Sequence, residues 1–174
     1  MEGQGQLEFG RFVAPSKSLA EAIREMREKI EEGTTCPCCG RFVKLYKRKL
    51  HAEMAAFLCR LVSRWKREQR YYSTRELCPA LTKSATDGSY LVHWGLLERE
   101  PIPNRNETGG KAGMYRPTER GVAFAEGRIT VASHIHILCG EIVGFAPDSI
   151  GVRDALGDRF SYDELMRKED GFDG

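Results

Sequence analysis

The stretch from 51 to 127 constrains the fold more than any other part of this chain. Met54, Phe57, Leu58, Leu61, Val62 and Trp65 recur at three- and four-residue spacing, which predicts a helix from about His51 to Arg70. Ser73-Thr74-Arg75-Glu76 is a capping box, so another helix opens there. Pro79 shortens or kinks it. After a short break at Thr82-Lys83, Ser84 caps a further helix with Asp87 in its first turn. Gly88, Leu91 and Trp94 face inward, and Gly95 ends it. Leu96 to Glu100 reads as a strand, Pro103 to Gly113 as a loop rich in Gly, Asn and Lys, and Met114 to Arg116 as the returning strand. Thr118 then caps a short helix, Glu119 to Glu126, stopped by Gly127.

The flanks are simpler. Before this stretch, Ser18-Leu19-Ala20-Glu21 is a second capping box, opening a helix with Leu19, Ile23, Met26 and Ile30 as its apolar stripe and Gly33 as its stop. Residues 1–17 form a tail or an edge strand over Leu7 to Val13. After it, Ser133–Leu138 and Glu141–Phe145 flank Cys139-Gly140, a two-residue hairpin turn. Ile150–Val152 and Arg159–Tyr162 predict a second hairpin, and Ser161 to Glu164 a last capping box. The expected class is α+β in four parts: a tail and helix over 1–33, a cysteine knuckle with a basic arm over 34–50, the helix-rich unit over 51–127, and a β-rich subdomain over 128–174.

Charge is unevenly spread. The chain of 174 residues has a net charge of only +2. Residues 1–35 carry a net −2, 36–75 a net +9 and 76–174 a net −5. A basic block of that size attracts a polyanion even in a nearly neutral protein. The N-terminus lacks the basic and apolar regions of a signal peptide, and no uninterrupted apolar run spans a membrane, so the expected location is the cytoplasm, with reduced cysteines.

The order helix, helix, helix, strand, loop, strand, helix over about 52–126 resembles a winged helix-turn-helix. Trp94-Gly95-Leu96-Leu97-Glu98-Arg99 is similar to the step that leaves the recognition helix in MarR- and PadR-like families. Tyr115-Arg116-Pro117-Thr118-Glu119-Arg120-Gly121 resembles their return from the wing, with Pro117 in place of an apolar residue. The resemblance implies DNA binding, as a transcription regulator that acts as a dimer. On that reading Lys83, Ser84, Thr86, Ser89, Tyr90 and His93 face the major groove, while Arg105, Lys111 and Arg116 on the wing meet the backbone. Arg60, Arg64, Lys66, Arg67 and Arg70 on the long helix add positive charge. The alternative is an adaptor whose winged helix docks a protein. Cys36 to Leu50 and Gly140 to Met166 are similar to uncharacterised small proteins of tailed bacteriophages, which implies a replication or transcription factor as that partner.

Cys36-Pro37-Cys38-Cys39-Gly40 looks like one knuckle of a zinc ribbon, with Cys36 and Cys39 at ligand spacing. The second pair is missing. His51, the His134/His136 pair or a second copy of the chain are the candidates to complete four ligands. No phosphate-binding loop, nucleophile elbow or metalloprotease motif occurs, so nothing in the sequence points to an enzyme.

Overall fold

In a computed structural model, residues 17–77, 83–101 and 113–167 are described, excepting the side chains of 83–86. They form a mixture of helix and sheet, as expected for an α+β chain. Contacts divide the chain into two units, one of 1–46 with 138–141 and one of 47–137 with 142–174.

The smaller unit opens with α1 (Leu19–Lys29). Its capping box is formed: the Ser18 hydroxyl accepts from the Glu21 amide, and the Glu21 carboxylate accepts from the Ser18 amide at 2.9 Å. The apolar stripe is not a core face, however. Only Ala22 is buried, and Leu19 and Ile23 are exposed. β1 (Thr34–Thr35) and β2 (Phe42–Val43) pair antiparallel around the cysteine turn. The edge strand expected over Leu7 to Val13 lies outside the described residues.

β3 (Leu45–Lys49) leads into α2 (Ala52–Glu68), the centre of the larger unit. Met54, Phe57, Leu58, Leu61 and Val62 are buried, as their spacing predicts. Burying each large side chain contributes roughly 1.5–3 kcal/mol. β4 (Tyr72–Ser73) and α3 (Thr74–Leu77) follow, with the Ser73–Glu76 capping box made from both sides. Pro79 lies outside the described residues.

Lys83–Trp94 is helical, but as a 3-10 helix. Gly88, Leu91 and Trp94 recur every three residues, one turn of such a helix, so all three share one buried face. Gly88 sits on the Phe57 ring so closely that a β-carbon would come within 2.8 Å of it. β5 (Leu97–Arg99) and β6 (Met114–Pro117) pair antiparallel, and β4 pairs with the far side of β6, giving the order β4-β6-β5. The strand β4 was not visible in the sequence, since two residues are too few to show alternation. α4 (Glu119–Ala125) is capped by Thr118, whose hydroxyl accepts from the Gly121 amide at 3.0 Å and donates to the Gly95 carbonyl at 2.6 Å.

The segment after Gly127 holds helices as well as strands. β7 (Val131–Ala132), β8 (His134–Leu138) and β9 (Glu141–Phe145) come first. The β8–β9 turn is as expected: Cys139 and Gly140 both have positive φ, at 51° and 88°. β8 lies between β3 and β9 in one sheet. The second hairpin is absent. β10 (Ser149–Ile150) pairs with β7 instead, and Val152 starts α5 (Val152–Leu156). Val152, Ala155 and Leu156 have i, i+3, i+4 spacing and bury one face, so helical burial prevails over the short β-prone run. Arg159, expected on a strand, ends a 3-10 turn and pairs with Glu53 at 2.6 Å. α6 (Tyr162–Met166) is capped by Ser161. α5 and α6 both pack on α2, and Val131, Ile135, Val152 and Leu156 join its core.

Candidate nucleic-acid interface

The 3-10 helix has three ridges, because residues three apart eclipse one another. Gly88, Leu91 and Trp94 form the inner one. The indole Nε1 of Trp94 donates to the Ala132 carbonyl at 2.7 Å, which fixes the helix end. Asp87, Tyr90 and His93 form a second ridge, and Ser89 lies on the third; all four are half-buried.

The second ridge is set from β3 and the start of α2. The Arg48 guanidinium lies 3.4 Å from one Asp87 oxygen and 3.8 Å above the Tyr90 ring. His51 Nε2 lies 3.3 Å from the other Asp87 oxygen. The single carboxylate of this face is therefore matched by two basic groups. Tyr90 and His93 stack obliquely, with centroids 5.7 Å apart. Desolvation, and then the positive charges of Arg99 and Arg48, hold His93 below the usual imidazole pKa. A neutral imidazole offers one donor and one acceptor at physiological pH.

The other expected contact residues are distributed differently. Lys83, Ser84 and Thr86 lie in the first turns of the 3-10 helix, their side chains outside the described set. Arg105 and Lys111 also lie outside it. Arg116 stands opposite Glu98 in the β5–β6 register and is ion-paired with it, with its guanidinium 4.9 Å from the Tyr71 ring. It lines a groove of about 660 Å³ with Trp65, Glu98 and Arg128. On α2, Lys66 pairs with Glu126 at 2.5 Å, and Arg70 with Glu68 and Glu76 at 2.7 and 2.8 Å. The basic block is thus distributed between the 3-10 helix and the length of α2.

Arg48, His51 and Arg99 did not stand out in the sequence as partners of this ridge. Arg48 and Asp87 are 39 residues apart, and no local pattern joins them.

Cys36 and Cys39 occupy a tight turn in the smaller unit, closed by the Gly40 amide donating to the Cys36 carbonyl at 2.8 Å. Hydrogen bonds from the backbone of Cys39 and Cys38 lower the Cys36 thiol pKa, whereas desolvation and the neighbouring Cys36 charge raise that of Cys38. Cys36 therefore loses its proton more readily than Cys38. Among the described residues no group of three or more His, Cys, Asp or Glu could hold a metal ion. A tetrahedral structural zinc site needs four ligands. Two of the histidines considered as ligands have other partners: His51 has Asp87, and His134 Nδ1 lies 2.7 Å from the Ser133 hydroxyl.

Ser133, His134 and Asp148 converge without forming a hydrolytic triad. The Ser133 hydroxyl is buried and bonded to the Asp148 carboxylate, so the imidazole does not stand between acid and nucleophile. Among the described residues no helix is long and apolar enough to cross a membrane.

Comparison with known proteins finds no matching family model, no matching curated protein and no matching solved structure.

Proposed function

We propose that the chain binds double-stranded DNA as a winged helix-turn-helix protein and regulates transcription. The observation that carries this reading is the polar ridge of the 3-10 helix, whose one carboxylate lies 3.4 Å from the Arg48 guanidinium and 3.3 Å from His51 Nε2. A bare carboxylate facing a duplex repels it; a matched one can orient its neighbours. Ser89, Tyr90 and His93 meet base edges in the major groove, with Lys83, Ser84 and Thr86 at the head of the same helix. Arg48, Arg99 and the exposed Arg75 approach phosphates. The loop joining β5 to β6, with Arg105 and Lys111, follows the flanking backbone. The strand order β4-β6-β5 supports the reading by holding that loop's two arms side by side.

The test is a gel shift against random-sequence duplex across a salt series. Binding is expected at low salt, weakening steeply as salt rises because bound cations are released from phosphates. No shift at low salt would sink the proposal.

A second reading, an adaptor that docks a protein, draws on Ile142, Val143 and Phe145, which are exposed on β9. A stoichiometric protein partner retained in a pull-down without nucleic acid would favour it.

A further inference from the structure

The smaller unit, 1–46 with 138–141, has little burial to hold it together. Among its described residues only Ala22 and Val43 are buried, while Leu19, Ile23, Phe42 and Tyr46 stand exposed. Compact pieces of chain near this size are marginal on burial alone, and the smallest depend on a disulfide, a metal or a second subunit. The described cysteines of the unit are free thiols, which leaves the metal and the second subunit.

The cysteine turn supplies half of a metal site. Cys36 and Cys39 have the separation at which two sulfurs reach one zinc ion, and Cys36 and Cys38 do not. The Cys36 sulfur accepts hydrogen bonds from the amides of Cys39 and Cys38 and from the Cys39 thiol. Such bonds orient a metal-bound thiolate and offset its charge. The turn is closed by the Cys36 amide on the Arg41 carbonyl and the Gly40 amide on the Cys36 carbonyl, both at 2.8 Å. Gly40, at φ 71°, makes the reversal that follows Cys39. Cys39 is exposed and Cys36 partly so, which leaves the pair open to an approaching chain.

Two further ligands are needed. Among the described residues no third His, Cys, Asp or Glu joins the pair in a group able to hold a metal. A structural zinc site is four-coordinate and closed. A two-fold axis through the ion brings the same pair from a second copy, so four thiolates surround it in a self-complementary interface. Leu19, Ile23 and Phe42, exposed in the same unit, offer apolar surface to that interface.

We infer that the chain forms a homodimer bridged by one zinc ion, held by Cys36 and Cys39 of each copy. The site does not rest on the DNA-binding reading, since its residues lie in the smaller unit and the 3-10 helix lies in the larger.

Cobalt titration of the reduced, metal-stripped full chain tests it, with light scattering to follow the mass. Thiolate-to-cobalt absorption should grow until one ion is present per two chains, while the mass doubles, and zinc should displace the cobalt at the same ratio. Cys36→Ser and Cys39→Ser should each abolish the absorption and leave a monomer, whereas Cys38→Ser should change neither. Both tryptophans, Trp65 and Trp94, lie in the larger unit, so urea unfolding read by their fluorescence should be the same in all three variants. The inference is overturned by an endpoint of one ion per chain, by a mass that does not respond to metal, by absorption that survives both Cys36→Ser and Cys39→Ser, or by no metal binding to the reduced chain. Iron with acid-labile sulfide in the purified protein, in place of zinc, overturns it too.

Discussion

The Trp94 indole reaches across the core to the Ala132 carbonyl, tying the end of the 3-10 helix to a strand 38 residues further along the chain. Trp94→Phe keeps most of the buried ring and removes the donor. The half-buried carbonyl is then left without that partner, which costs up to about 1–3 kcal/mol. Urea denaturation should show that loss as a lower midpoint with an unchanged slope.

Gly88 and Gly121 both admit no β-carbon, but for different reasons. At Gly88 the obstacle is the Phe57 side chain; at Gly121 it is the Leu96 carbonyl. Gly88→Ala should destabilise by about 1–3 kcal/mol, and adding Phe57→Leu should recover part of that loss. Gly121→Ala has no such rescue, because a backbone oxygen cannot be trimmed. A double-mutant cycle read by thermal melting separates the two cases.

Arg48 and Asp87 give a prediction that depends on DNA binding. Arg48→Ala leaves a carboxylate on the polar ridge with one basic neighbour fewer. Duplex affinity should fall about tenfold or more, and Arg48→Ala with Asp87→Asn should bind more tightly than Arg48→Ala alone. Fluorescence anisotropy at fixed salt measures both. An Asp87→Asn change that fails to recover any affinity would remove the electrostatic explanation.

Acid should weaken the fold through Glu126. Lys66 and then Arg128 hold its carboxyl below the ordinary value of 4.5. A lowered folded-state pKa means its stabilising contribution is present above about pH 4.5 and is lost as pH falls through the folded value. His93 follows the same sign at higher pH. Its folded pKa lies below 6.5, so its contribution is present above that value and is lost on acidification. Histidine NMR titration should place the His93 midpoint below 6.5, and Glu126→Gln should flatten the fall in urea midpoint below pH 4.5.

Thiol reactivity should separate the cysteines sharply. Burial pushes the Cys59 thiol up to about 12, while Cys38, Cys39 and Cys139 are exposed and Cys36 is partly so. Among the described cysteines, brief alkylation of the metal-stripped protein followed by peptide mapping should label Cys36, Cys38, Cys39 and Cys139 and spare Cys59 until the protein is unfolded.

Several features were legible in the sequence because they are local. The capping boxes at Ser18 and Ser73, the Thr118 cap, the Cys139-Gly140 turn and the buried face of α2 each follow from residues within one or two turns of one another. The 3-10 form of 83–94 was not, since Gly88, Leu91 and Trp94 suit an α-helix nearly as well until Phe57 is seen against Gly88. The helix α5 was hidden because Ile150-Gly151-Val152 has strand-forming side chains, and only the core of α2 decides for helix. At the candidate interface, Tyr90 and His93 were readable as polar positions on a helix. The pairing of Asp87 with Arg48 was not, because sequence spacing carries no information about a contact between distant segments.

The eclipsed ridge has a metrical consequence. A 3-10 helix rises about 2.0 Å per residue, so ridge side chains three residues apart stand about 6 Å from one another. Successive base pairs in a duplex are about 3.4 Å apart along the axis, and two steps span about 6.8 Å. On the proposed reading, Tyr90 and His93, neighbours on that ridge, keep pace with every second base pair, in a straight row rather than a spiral. A binding site read this way would show sequence preference at alternate positions, with the intervening ones free to vary.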